Sequence, residues 1–395
     1  MLFREQLDEE LRRRIAEFQR FASTQSNDLH NYRTWLAELE LLSYPDIAAR
    51  FAGADNTGAF PSEEITAANT FRVPFEAAWQ NHQQARAWAS DILDDRTTFA
   101  ADGSQIYAGK ETSAPIAAVQ IGWFENPHNF GTAYEKSARF ELLSPADLFY
   151  DQDDPMNPDI RVEERRYLGE VARVREFLEK KRGWQLRDER MPLAFFDNPL
   201  LVPFTQKGLQ KSFLEATVAL VDLSRDAKVP LIGFVDRSFS RDLLTMLEHF
   251  ASSDRSRELA IYDASILSDM LQNWGDRTCF CYSKRRGLNA FDDPQSGRSK
   301  VGFTYLQTTR DSPPARVDIP SWIYESGFLN EVIDVVRAEC VIGVGYPYAL
   351  ETADQTSVIS PRDREIFFRA LQEFANRGKL DFSVSRKDAS KGRRR

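Results

Sequence analysis

The chain of 395 residues is 42% hydrophobic and 12% aromatic, enough to bury a large core, and its length fits one large domain with appendages or two smaller ones. Its 60 acidic and 51 basic residues give a formal net charge of -9, which excludes a global positive field for nucleic acid and leaves any such contact to local basic patches. Cys279, Cys281 and Cys340 are too few for a disulfide framework and wrongly spaced for structural zinc, and no apolar run nears the roughly 20 residues of a membrane helix, so a cytoplasmic protein without signal peptide or membrane span is expected.

Phe3, Leu7, Leu11, Ile15, Phe18 and Phe21 recur at helical steps among charges and predict an amphipathic helix over 3–22, read as packing on its own domain. Helical patterns over 31–51 and 74–93, broken by the loop Gly53–Gly58, make 1–95 a mostly helical N-terminal region. From Thr97 short β-branched and aromatic runs predict strands at 104–107, 116–124, 140–142, 193–196, 230–235, 278–282, 301–307 and 340–344. Helices are expected at 161–181, 209–227, 241–250, 264–273, 327–339 and 361–377. Antiparallel-looking strands followed by strand and helix alternation predict a mixed α/β sheet with helices on its faces over 96–380. The stretch 385–395 carries six cations and one anion, so 381–395 is expected to be a disordered basic tail.

Three aspartates border β-like apolar runs: Asp102 in Phe99-Ala-Ala-Asp-Gly-Ser, Asp197 after Leu193-Ala-Phe-Phe196, and Asp354 closing Gly345-Tyr-Pro-Tyr-Ala-Leu-Glu-Thr-Ala-Asp. Carboxylates at strand ends that converge on a cleft are what hard divalent cations require. Singly, each has an ordinary explanation: Asp-Gly is a common turn dipeptide, and Asp197-Asn198-Pro199 reads as a turn. In the segment 161–178, Tyr167, Leu168, Val171, Val174 and Leu178 define a buried face. Glu170 and Glu164 lie nearest it, with Glu170 the better ligand candidate, while Glu163 and Glu176 form charged pairs with arginines. Gly343-x-Gly345 lacks the third glycine of a dinucleotide fingerprint. The four histidines show no metalloprotease spacing, and neither a nucleophile elbow nor a P-loop occurs. Lys284-Arg285-Arg286 is a basic run that could follow a DNA backbone or be solvated.

The order and spacing of these motifs from about Trp88 to Arg377 resemble the NurA nucleases. The resemblance rests on Phe-x-x-Asp102-Gly-Ser, the Arg-rich helix with Glu170, the strand ending at Asp197 and Gly-Tyr-Pro-Tyr-x-Leu-x-x-Ala-Asp354. It implies a sheet of the ribonuclease H or Argonaute PIWI type. It also implies a Mn²⁺-dependent nuclease (Mg²⁺ as the alternative ion, two ions per site) acting on single-stranded DNA and duplex 5′ ends in end resection and break repair. The implied partners are a HerA-type hexameric translocase and a second copy of the chain. Asp102 would bridge both ions, with Asp197 and Glu170 holding one each. Many relatives carry a second Asp-Gly-Ser where this chain has Asp197-Asn-Pro, and histidine where it has Asp354. Asp354 is therefore assigned as a ligand, since a carboxylate is a poorer proton donor at neutral pH. A catalytically weakened adaptor of the translocase and a ribonuclease on the same fold are the rival readings.

Overall fold

The structure, a computed structural model, describes residues 3–68, 70–109, 111–149, 157–201, 210–253 and 261–380, so the expected basic tail lies outside the described residues. Its strands are β1 (Gly58–Pro61), β2 (Arg72–Val73), β3 (Thr98–Ile106), β4 (Ala117–Asn126), β5 (Glu135–Leu143), β6 (Leu193–Phe196), β7 (Leu231–Val235), β8 (Arg277–Thr278), β9 (Cys281–Lys284), β10 (Val301–Leu306) and β11 (Ala315–Pro320). The chain divides into two compact units, 1–77 with 236–316, and 78–235 with 317–395. The first 95 residues thus do not form a region by themselves: the leading 77 share a core with a segment far along the chain.

In the first unit, the expected helices over 3–22 and 31–51 are one helix, Arg4–Glu40, followed by a short one at Tyr44–Arg50. The long helix buries only Tyr32, Leu36 and Leu39, which join Ile47, Phe71 and Leu247 in the core. The stripe from Phe3 to Phe21 is exposed, which overturns its reading as a face packed on its own domain. β9 lies between β1 and β10, both antiparallel to it, and the short β8 pairs with β2 and β10.

The second unit carries the expected mixed sheet. β3 pairs antiparallel with β4 from Thr98↔Asn126 to Ile106↔Ala118, and β4 pairs antiparallel with β5. On its other edge β3 pairs parallel with β6, and β6 parallel with β7. The spatial order β5-β4-β3-β6-β7, three antiparallel strands followed by two parallel ones, is the ribonuclease H-like arrangement. The helices Pro158–Lys181 and Gln210–Ala227 make the two crossovers that parallel pairing requires. Among the described residues no helix is long and apolar enough to cross a membrane.

Two local expectations fail. The run 340–344 is no strand: Cys340-Val-Ile342 ends the helix Leu329–Ile342, and a tight turn follows. Asp354 closes no β-like run, because Tyr348–Ser357 is a helix whose buried Ala349, Leu350, Ala353 and Ser357 recur at helical steps.

Candidate active site

Asp102 lies in mid-strand, not at a hairpin tip. The parallel register Ala101↔Phe196 brings β6 to its end beside it, so Asp197, the next residue, emerges next to Asp102. Successive strand residues face opposite sides of a sheet, which gives Asp102 and Gly103 different neighbours.

On the Asp102 side, Gly122 of β4 stands opposite, and a Cβ there would meet the Ser357 amide nitrogen at 2.5 Å. That bare backbone admits the last turn of the helix Tyr348–Ser357. Ser357 Oγ donates to Asp102 Oδ2 at 3.0 Å, while Gln120 Nε2 (3.0 Å) and Ser104 Oγ donate to the Ser357 carbonyl. The other end of the helix is held by buried Glu339, whose carboxylate accepts from the Ala349 amide at 2.9 Å.

On the Gly103 side, a Cβ would meet Arg166 Cγ at 2.6 Å and Glu170 Oε1 at 2.7 Å. Glycine therefore follows Asp102 so that a carboxylate can lie against the strand. The helix Pro158–Lys181 starts at Asn157, which accepts from the Asp159 amide, and buries Val162, Tyr167, Val171 and Val174; Glu170 falls on that stripe and is fully buried. Arg166 Nη1 donates to Glu170 Oε1 at 2.8 Å and Asn198 Nδ2 to Oε2 at 3.1 Å.

A cavity of about 430 Å³ is lined by Asp197, Gly343, Tyr346, Glu351 and Asp354. Tyr346 Oη donates to Asp197 Oδ1 at 2.6 Å. The Gly343-Val-Gly345 turn delivers this tyrosine: a Cβ on Gly343 would lie 2.1 Å from the Tyr346 carbonyl oxygen, and Gly345 takes φ 107°. The sequence motif is thus a helix-to-helix turn.

The carboxylates feel one another. Burial, with the charges of Asp197 and Asp354 adding to it, pushes the Asp102 carboxyl up to about 6. Burial pushes Glu170 up to about 8, with the Arg166 guanidinium opposing and the charges of Asp102 and Asp197 reinforcing the shift. Asp102, Glu170, Asp197 and Asp354 therefore share one region, fed by a strand centre, a strand end and two helices.

Other candidates fall outside it. Glu164 pairs with Arg161 at 3.2 Å. In the first unit, Arg285 holds both oxygens of buried Asp242, at 2.9 and 2.5 Å, so it is committed to an ion pair. Lys284 reaches the Gly297 carbonyl at 3.4 Å, and Arg286 is exposed. Sequence reasoning missed Tyr346, Ser357, Asn198 and Glu351; only Tyr346 and Glu351 left a signal, inside the segment that ends at Asp354.

Among the described residues no three His, Cys, Asp or Glu side chains are gathered closely enough to hold an ion as they stand. The donor set nevertheless fits a hard divalent cation: its oxygens are carboxylates, and the proton affinities of Asp102 and Glu170 are raised first by burial and then by their neighbours' charge, both of which a cation offsets. Neutral donors and Arg166 hold the same oxygens in the meantime.

The NurA domain family profile matches residues 96–359. The fold is similar to a crystal structure of the catalytic domain of human endonuclease V, at 14% identity over 75% of this chain and 99% of that one, with a TM-score of 0.33. It is also similar to a crystal structure of NurA (7% identity, 70% of this chain, 88% of that one, TM-score 0.38) and to one of NurA bound to dAMP and manganese (9%, 70%, 88%, TM-score 0.35). No curated protein sequence matches the chain.

Proposed function

Because the chain belongs to the NurA domain family, and is thereby a nuclease, we propose that it cleaves DNA by metal-assisted phosphodiester hydrolysis, acting on single strands and duplex 5′ ends together with a HerA-type translocase in end resection. The observation that carries this reading is the convergence of Asp102, Glu170, Asp197 and Asp354 on one region of the ribonuclease H-like sheet.

In this reading those four carboxylates hold Mn²⁺ or Mg²⁺. When bound, such ions supply charge stabilisation at the phosphate and a water of lowered pKa. The protein supplies position. Ser357 orients Asp102, Tyr346 fixes Asp197, and Asn198 with Arg166 aligns Glu170. Asp354, exposed on the same cavity, completes the set from the solvent side.

The test incubates purified full chain with labelled single-stranded DNA, 5′-recessed and blunt duplexes, and RNA, in Mn²⁺, Mg²⁺ or EDTA. Mn²⁺-dependent shortening of DNA supports the reading. Cleavage of RNA alone would make it a ribonuclease. Binding to a translocase with no cleavage of either substrate would make it an adaptor.

A further inference from the structure

The loop 307–314 that joins β10 to β11 borders a cavity of about 380 Å³ in the first unit, whose lining includes Leu271, Gln307, Arg310, Asp311 and Pro313 and none of the carboxylates described above. Gln307 is 4% exposed, and nearly all of its polar groups are spent. Its backbone N–H donates to the Asp276 carbonyl at 2.9 Å, and its own carbonyl accepts from the Gly275 N–H at 2.7 Å. Its Nε2 donates to the Thr309 and Ser312 carbonyls at 2.5 and 2.8 Å. Those carbonyls take both amide hydrogens and fix which way the amide faces, because a flipped amide would set Oε1 against two acceptors. The one polar group that Gln307 can still offer the cavity is Oε1, which is buried and meets no donor among the described residues. A buried acceptor without a donor is costly, so the cavity suits a molecule that brings an N–H or O–H to that atom.

The rest of the lining says what kind of molecule. The Ser312 N–H donates to Thr309 Oγ1 at 3.2 Å, so the turn that carries Arg310 and Asp311 is held both by its own side chain and by Gln307. Arg310 and Asp311 are exposed, and neither is ion-paired among the described residues. A guanidinium fork matches phosphate oxygens, and a carboxylate accepts from the hydroxyls of a ribose. Leu271 and Pro313 add apolar surface, which a base needs and a bare phosphate does not. The volume falls among pockets for drug-sized ligands, about 300–1,000 Å³, and is more than a free amino acid fills. We propose that this cavity binds a ribonucleoside 5′-monophosphate. The base lies against Leu271 and Pro313 and gives an amino or ring N–H to Gln307 Oε1, the phosphate meets Arg310, and the sugar hydroxyls meet Asp311. The proposal rests on the first unit alone and is independent of the nuclease reading.

The test titrates the full chain calorimetrically with AMP, adenosine, dAMP and ribose 5-phosphate in EDTA, which keeps divalent ions off the carboxylates of the second unit. AMP should bind with a dissociation constant below about 1 mM, and ribose 5-phosphate, which has no base, at least about tenfold more weakly. Arg310→Ala should weaken AMP about tenfold and leave adenosine within about twofold, because only the phosphate loses a partner. Asp311→Asn should erase the preference for AMP over dAMP. Gln307→Met should weaken AMP and adenosine alike. That variant also frees the Thr309 and Ser312 carbonyls, so its thermal midpoint is read beside its affinity, and the exposed Arg310 and Asp311 carry the test should it unfold. No heat from AMP at about 10 mM would mean a cavity that holds water only and would overturn the proposal. So would AMP affinity untouched by Arg310→Ala, dAMP binding as tightly as AMP, or AMP binding lost in Asp102→Asn, which would put the nucleotide at the carboxylates.

Discussion

Ser357 donates its hydroxyl to Asp102 across 255 positions of sequence, and this bond ties the last turn of the helix carrying Asp354 to the middle of the strand carrying Asp102. Ser357→Ala leaves Asp102 in place but frees its orientation. Cleavage should fall about 10- to 100-fold, the usual cost of losing a group that orients a metal-binding carboxylate. Asp102→Asn should reduce cleavage to background with an unchanged circular dichroism spectrum. Near wild-type rates for Asp102→Asn would remove it from the site.

Gly103→Ala is expected to be nearly as damaging as loss of a carboxylate, although it deletes no functional group. Its Cβ would meet Glu170 Oε1 at 2.7 Å and Ile121 Cδ1 at 2.9 Å, so the helix Pro158–Lys181 must shift. The strain should cost about 1–3 kcal/mol in denaturant unfolding. The displacement of Glu170 should lower cleavage more than tenfold, a misplacement effect. A fully active Gly103→Ala would show that Glu170 need not lie against the strand.

Glu170 and Glu164 should separate sharply in activity: Glu170→Gln should abolish cleavage, whereas Glu164→Gln should stay within about twofold, since Glu164 forms an ion pair with Arg161. Glu170 also sets a pH dependence. Its carboxyl ionises near 4.5 in the unfolded chain and near 8 in the folded metal-free protein. Between those values the folded state keeps a proton that the unfolded state has lost, so this group's stabilisation is full below pH 4.5 and declines as pH rises to 8. The slope is at most about 1.4 kcal/mol per pH unit. Unfolding in EDTA from pH 5 to 9 should show that decline, and Glu170→Gln should flatten it. Binding of Mn²⁺ should release protons and strengthen toward pH 8, measurable by calorimetry in buffers of different ionisation enthalpy.

The basic run should split into two behaviours. Arg285→Ala leaves buried Asp242 with Arg316 as its remaining guanidinium partner, and loss of the bidentate contact should cost about 3 kcal/mol. Lys284→Gln with Arg286→Gln should leave stability intact. If that loop contacts DNA, the pair should weaken single-strand binding at all sequences alike and reduce the salt slope by about 1.4. An unchanged slope would make it a solvated charge run.

The sheet was legible where sequence and burial agree. Leu193–Phe196 is apolar throughout because β6 is flanked on both edges and covered on both faces, and its bounds match the expectation. Glu170 was legible because the stripe around it has the helical period. By contrast, β11 reads Ala-Arg-Val-Asp-Ile-Pro, whose charged residues interrupt the apolar run by which the other strands were recognised. They are buried because Arg316 meets Asp242 at 2.7 Å and Asp318 accepts from the Leu201 amide at 3.2 Å, both remote in sequence. The run Cys340–Val344 was misread because a short apolar stretch has no period that separates a buried strand from the end of a buried helix. Tyr346, Ser357 and Asn198 carry no charge, and their roles come from contacts that only the closed sheet creates.

Asp102 and Asp197 are neighbours solely through the parallel pairing of β3 with β6, and Asp354 reaches them only after a further helix has packed across β3 and β4. During synthesis, then, a ribosome must deliver the chain past Asp354, in the last stretch of the second unit, before all four of these carboxylates can face each other. Parallel pairing over such separations forms late, because loop closure must be met before its contacts reward it. With these four carboxylates as the proposed cleavage centre, a nascent chain still lacking Asp354 has an incomplete one, so the topology withholds cleavage until the second unit is finished.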